Sequence, residues 1–215
     1  MRILLGTTNL SKIRRFRDLL QEYDAELLTL YDLQVEVEPE ETGRDPVENA
    51  VQKAYFYGKL FDCVLCEDSG LYYKTLPMTD PRQPGLHIRS PQGIRLQDEE
   101  MIAYYAAEVH RLGGRVPAGY VDGIAVFDRG TIHTFLDDRE NEGFWLVDTV
   151  HPNRHPGWPL DSISVDRTTG RYFVEESPVQ DTVNDLVIQS SGYRQRLLAF
   201  LVEALHLQKK ENIHG

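Results

Sequence analysis

Residues 2–12 read RILLGTTNLSK: an apolar run, a glycine, three residues that cap helices well, and a lysine. The run is strand-like. Beyond it Ile13, Phe16, Leu20 and Tyr23 recur at helical spacing, which predicts a helix over about 11–23. A strand passing into a helix through a short polar turn is the repeating step of an α/β fold, and the rest of the chain continues the alternation. AELLTL (25–30) is a second strand. Asp45 is placed to cap the next helix, with Pro46 in its first turn and Glu48 three residues after the cap. Val47, Ala50, Val51, Ala54 and Tyr55 form its expected buried stripe, leaving Asn49 and Lys53, one turn apart, together on another face.

CVLCEDSG (63–70) reads as a strand that ends on two carboxylates, Glu67 and Asp68, before a glycine turn. PMTDPRQPG (77–85) is an irregular loop. A helix follows over 98–112, then strands over 120–127 and 131–136 joined by a hairpin at DRG, a strand over 142–150 and a closing amphipathic helix over 193–205. This order predicts an α/β fold, a mixed twisted sheet with flanking helices, in a single domain over 1–215.

Composition narrows the function. The 215 residues are 41% hydrophobic, enough for one well-cored domain or two lobes around a cleft. No run approaches 18 apolar residues and the first strand begins at once, so the expectation is a cytoplasmic protein with no membrane partner. A net charge of -11 argues against a nucleic-acid polymer as partner but leaves room for a small anionic ligand carried with a metal ion. Cys63 and Cys66 stand three apart in a strand, hence on opposite faces, and are read as buried thiols. His151 and His155 have metal-ligand spacing only on a helix, which Pro152 and Pro156 disfavour.

The turn GTTNLSK (6–12) sits where a helix N-terminus offers free backbone N–H groups to phosphate, with Lys12 as an added cation. Thr7, Thr8 and Ser11 serve equally well as capping hydroxyls. EPEETG (38–43) adds acidic residues before the second helix, either a solvated loop or a source of metal ligands. Mg²⁺ takes one or two carboxylates with phosphates and water, and Glu41 with Asp68 would suffice.

In order and spacing, GTTNLSK, EETG, ENAVQKA, EDSGLYYKTL and PGLHIR resemble the inosine triphosphate pyrophosphatase family, whose motifs run T-G-N-x-x-K, E-x-T-G, E-N-A-x-x-K-A, D-D-S-G-L and P-G-x-x-S-A-R. The likeness covers residues 3–89 well and weakens beyond. The family's G-F-G-Y-D-P segment, which holds the base, finds only GWPLDS (157–162), so Trp158 takes the aromatic place and Asp161 the acidic one. The late S-H-R becomes SGYR (191–194), placing Tyr193 where His is expected and retaining Arg194. A family lysine has become Ile188, and Arg89 matches its motif one residue short.

The resemblance implies two lobes around a central nucleotide cleft and hydrolysis of unusual purine nucleoside triphosphates such as ITP, dITP and XTP to monophosphate and pyrophosphate. It implies Mg²⁺ on Glu41 and Asp68, with Asp68 as base and Glu67 able to share that role. Lys12 and Lys53 would neutralise phosphate charge; Thr7, Thr8 and Asn9 would position phosphate oxygens or metal-bound water; Ser69 and Gly70 would let main-chain amides approach. Trp158 would stack on the base and Asp161 accept from its N–H edge, with Arg89, Tyr193 and Arg194 also binding substrate. A homodimer is the implied assembly. The alternatives are a nucleotide-binding module with little turnover, or the same reaction with a shifted base preference.

Overall fold

The computed structural model describes residues 1–137, 143–155, 158–175 and 191–210. In chain order it comprises β1 (Arg2–Leu5), α1 (Leu10–Leu20), β2 (Glu26–Thr29), α2 (Pro46–Tyr57), β3 (Cys63–Tyr73), α3 (Asp98–Arg111), β4 (Arg115–Asp128), β5 (Thr131–Asp137), β6 (Phe144–Val147), β7 (Ser164–Asp166) and α4 (Ser191–Ala204). Short 3-10 turns lie at Pro91–Gly93, Pro159–Ser162 and Phe173–Glu175. Among the described residues the strands order as β2-β1-β3-β4-β6-β7, with β5 paired to β4. β1 is parallel to β2 and β3, whereas β4 is antiparallel to β5 and β6, so the sheet is mixed, as the alternation predicts.

The chain packs as two compact units: the described residues of Met1–Ser69, Asp122–Asp137 and Ile188–Gly215, and those of Gly70–Val121 and Asp138–Val187. In the first, strand side chains alternate between two helical layers. Ile3, Leu5, Cys63 and Leu65 pack against Ile13, Phe16, Leu20 and Tyr23 and, from α4, Tyr193, Leu197 and Leu201. Leu4, Val64 and Cys66 face the other way, toward Ala50, Ala54 and Tyr57 of α2. Cys63 and Cys66 thus belong to different cores, and burial pushes each thiol up to about 12. In the second unit Leu71, Tyr73, Val116, Phe144 and Leu146 pack with α3 through Met101, Ile102, Tyr105 and Val109.

Several expectations are met and several corrected. Asp45 caps α2, its Oδ1 accepting from Glu48 N at 2.9 Å. Glu48 does not turn back to Asp45 as a capping box would; its carboxylate accepts from Arg44 N at 2.8 Å. Tyr55 is exposed and Tyr57 takes its place, because Ala50, Ala54 and Tyr57 follow the 3.6-residue period that Tyr55 leaves. β3 does not end at the carboxylates: it runs for 11 residues to Tyr73, since Leu71, Tyr72 and Tyr73 continue as buried strand. β4 starts at Arg115, where Val116 and Ala118 already alternate inward. The DRG turn has Arg129 and Gly130 at φ 46° and 97°, the left-handed pair that a tight hairpin needs. His151 and His155 lie outside any helix. No helix among the described residues is long and apolar enough to cross a membrane.

Candidate functional site

Strand β1 delivers the chain to α1 through Gly6–Asn9. Asn9 closes the helix start: its Oδ1 accepts from Lys12 N at 3.2 Å, and its own N–H donates to Thr7 Oγ1 at 3.1 Å. The cap is therefore an amide, with Thr7 supporting it. Thr8 turns to Glu38, Oγ1 to Oε1 at 3.4 Å. Capping draws Lys12 into the first turn of α1, where its side chain is 18% exposed. Burial lowers its pKa to about 8, opposed by Asp68 and Asp122 and helped by Lys53 and Arg15.

A second arrangement forms where α2 passes β3. Asn49, buried on α2, works in two directions: Oδ1 accepts from Gly43 N at 2.8 Å and Nδ2 donates to Asp68 Oδ2 at 2.8 Å. One carboxamide thereby ties the EETG loop to the strand carboxylate. Gly43 has to be glycine for this, since a Cβ would stand 2.5 Å from Asn49 Oδ1. One turn on, Lys53 Nζ lies 2.6 Å from Glu41 Oε1 and 3.5 Å from Asp68 Oδ1. Burial pulls the Lys53 ammonium down, but Asp68 and Glu41 outweigh it and its pKa is raised. Asn49 and Lys53 thus share one face of α2, as their spacing indicates, and the structure shows that this face meets Asp68.

The neighbouring carboxylates Glu67 and Asp68 point to opposite faces of β3, because they sit inside a strand and not at a turn. Asp68 faces α2. Glu67, 2% exposed, pairs with Arg15 of α1 and lies 3.8 Å from Lys12 Nζ, which also donates to the Glu67 main-chain carbonyl at 3.4 Å. The two neighbours therefore have different partners, Asn49 and Lys53 for Asp68 and Arg15 and Lys12 for Glu67. Arg15 was missed from sequence, although its helical spacing from Lys12 would have placed the two on one face. Asp122, fully buried on β4, was also missed; it accepts from the Tyr193 hydroxyl at 3.2 Å.

The remaining candidates are dispersed. Ser69 is half-buried next to Asp68. Tyr193 is enclosed in the core instead of lining a surface, its ring packed beside Phe135. Arg194 donates to the Asp18 carbonyl at 3.3 Å. In the second unit, Gly70 is buried in β3 with the Tyr72 ring where a Cβ would stand. Arg89 pairs with Asp98 at 2.6 Å. Trp158 is 41% exposed. Asp161 accepts from or shares a proton with His155 Nδ1 at 2.9 Å, and burial raises its pKa against that partner. Ile188 and Gly157 lie outside the described residues.

The Ham1 family model matches residues 3–142. The chain belongs to the Ham1 family. A dITP/XTP pyrophosphatase of Protochlamydia amoebophila is 39% identical over 204 residues, covering 94% of this chain and 98% of that relative. Likeness therefore runs well past residue 89, where the motifs thin out. A Ham1 protein structure from Coxiella burnetii covers 94% of this Ham1-family chain and 99% of its own, with 21% identity and a TM-score of 0.70. A nucleoside-triphosphatase / dITP/XTP pyrophosphatase structure from Mycobacterium abscessus covers 94% and 99%, at 23% identity and a TM-score of 0.64. At these identities the two structures establish the fold, a mixed sheet flanked by helices.

Proposed function

We propose that this Ham1-family chain is a nucleoside triphosphate pyrophosphatase that hydrolyses purine nucleoside triphosphates, dITP and XTP first among them, to monophosphate and pyrophosphate. The observation that carries the reading is Asp68, fixed on one oxygen by Asn49 and faced on the other by Lys53. Water attacks the α-phosphorus, a new P–O bond forms, the bond to the bridging oxygen breaks, and pyrophosphate leaves with the electron pair. Asp68 accepts the water's proton, a step that a positioned base accelerates. Lys53 and Lys12 neutralise the charge that grows on the departing oxygens, as point charges.

A divalent metal, Mg²⁺ in this reading, fits the donors present. Glu41 and Asp68 already converge on one positive charge, the Lys53 ammonium. Mg²⁺ takes one or two carboxylates, with phosphate and water completing its shell. When bound, the ion would withdraw charge from phosphate oxygens and make pyrophosphate a better leaving group. Glu41 and Asp68 would hold it. A homodimer, on the family resemblance, and a cytoplasmic location, on the sequence pattern, belong to the same proposal.

The test is a panel of nucleoside triphosphates with Mg²⁺, measuring monophosphate, pyrophosphate and orthophosphate separately. Equal amounts of monophosphate and pyrophosphate from ITP, dITP or XTP are expected. Orthophosphate with a diphosphate product would overturn the reading. A shifted base preference is the second reading, favoured by Tyr193, which is buried where the family carries a histidine; the same panel decides it by its ranking of bases.

A further inference from the structure

The ion pair of Arg15 and Glu67 has no evident place in the reaction above. It lies inside the layer between α1 and the sheet, with side chains 8% and 1% exposed. The same helix contributes Ile13, Phe16, Leu19 and Leu20 to the hydrophobic core. A buried ion pair is a poor source of stability, because desolvating two charges costs several kcal/mol and hydrophobic residues of like volume often do as well. The Arg15 Nε, buried and without a hydrogen-bond partner among the described residues, adds to that cost. A reason for the pair has to be sought in what it touches.

What it touches is Lys12. The lysine precedes Arg15 by three residues on α1 and reaches the same glutamate, 3.4 Å from its carbonyl oxygen and 3.8 Å from Oε1. Arg15 holds the other carboxylate oxygen, Oε2, at contact distance. Two cations therefore share one carboxylate, and the guanidinium holds it more closely. A lysine alone with a buried glutamate would close onto it, and its charge would be spent there; with Arg15 occupying the carboxylate, the ammonium is steadied by a loose contact and a main-chain carbonyl while keeping its charge.

We infer that Arg15 is a positioning residue for the phosphate end of the site: by occupying Glu67 it keeps the Lys12 ammonium available to a nucleoside triphosphate. The inference rests on the proposed function, in that Lys12 is taken to meet phosphate.

The full chain is titrated calorimetrically, in the presence of Mg²⁺, with an α,β-imido analogue of dITP, which reports affinity without turnover. Arg15→Met is expected to weaken binding at least tenfold while the protein stays folded by circular dichroism, and Arg15→Lys to recover part of the loss. Adding Glu67→Gln to Arg15→Met is expected to restore affinity, because a neutral amide no longer captures Lys12. A purely structural pair predicts affinity that tracks melting temperature through the series, whereas the positioning role predicts affinity lost by an Arg15→Met chain that is still fully folded at the titration temperature. If Arg15→Met does not fold, the double variant, which buries neither charge, carries the test: it should bind the analogue within a few-fold of wild type and lose that binding on Lys12→Met. Wild-type affinity in folded Arg15→Met, or no recovery in a folded double variant, overturns the inference. Unchanged affinity in Lys12→Met of the otherwise native chain overturns instead the phosphate-end reading on which it rests.

Discussion

Lys12 and Lys53 carry the same charge in the same unit and are driven in opposite directions. Lys53 stands between two carboxylates, and their attraction outweighs its burial. For Lys12 burial prevails, and its pKa falls from 10.5 to about 8. Between those two pH values the unfolded chain keeps a proton on Lys12 that the folded chain has released, so the contribution of Lys12 to stability should be flat below about pH 8 and rise from there toward 10.5. Lys12→Met removes the strained charge. At pH 7 it should melt higher than wild type, by at most about 3 kcal/mol in stability, and the gap should close as pH is raised. A gap that stays constant across this range would show that burial does not strain Lys12. Asp68→Asn keeps the volume and the contact geometry of the carboxylate but removes its charge. A loss of at least about a hundredfold in kcat is expected, the lower end for acid-base help, with the melting temperature near wild type. Near-normal turnover would remove Asp68 from the reaction.

Helix α2 shows how one element serves both folding and the site. Asp45 caps it through a side chain that accepts from Glu48 N, so Asp45→Ala should cost about 1 kcal/mol of stability and leave kcat where it was. Asn49→Ala removes a buried amide with a partner on each side, Gly43 N and Asp68 Oδ2. It should cost about 1–3 kcal/mol for the groups left without partners and also lower kcat, because Asp68 and the Glu41 loop lose their common tether. Equal kcat in the two variants would make Asn49 a structural residue only. The start of α2 was legible because Asp45 and Pro46 are local signals, and so was the Asn49–Lys53 face, set by helical period alone. The length of β3 was not. Two adjacent carboxylates before a glycine resemble a strand end, and only the packing of Leu71 and Tyr73 in the second unit keeps the strand going. The separation of Glu67 from Asp68 follows from that error: once the strand continues, its alternation sends them to opposite faces.

At the scale of the whole molecule, the residues cited for the phosphate end belong to one unit, while Trp158, Asp161 and Arg89 belong to the other. The first group could be recognised from sequence because its motifs are contiguous and tied to secondary-structure starts. The second depends on short irregular segments whose spacing has drifted, and on partners such as His155 that no local pattern announces. Substitutions in the two groups should accordingly fail in different ways. Lys53→Ala removes charge that counts most as pyrophosphate departs, so kcat should fall for every nucleotide alike. If Trp158 stacks on the base, as the resemblance implies, Trp158→Ala removes an interaction worth roughly 1–3 kcal/mol in ground and transition states together, so KM should rise with kcat little changed. Asp161→Asn exchanges an acceptor for an amide that also donates, which should reorder the preference among bases. His155→Gln gives the control. If His155 orients Asp161, its replacement should blur the ranking of bases without altering kcat for the best one. Should Trp158→Ala and Asp161→Asn leave both KM and ranking untouched, the base is held by other residues, and the assignment of Asp68, Lys53 and Lys12 to the phosphate end would stand without them.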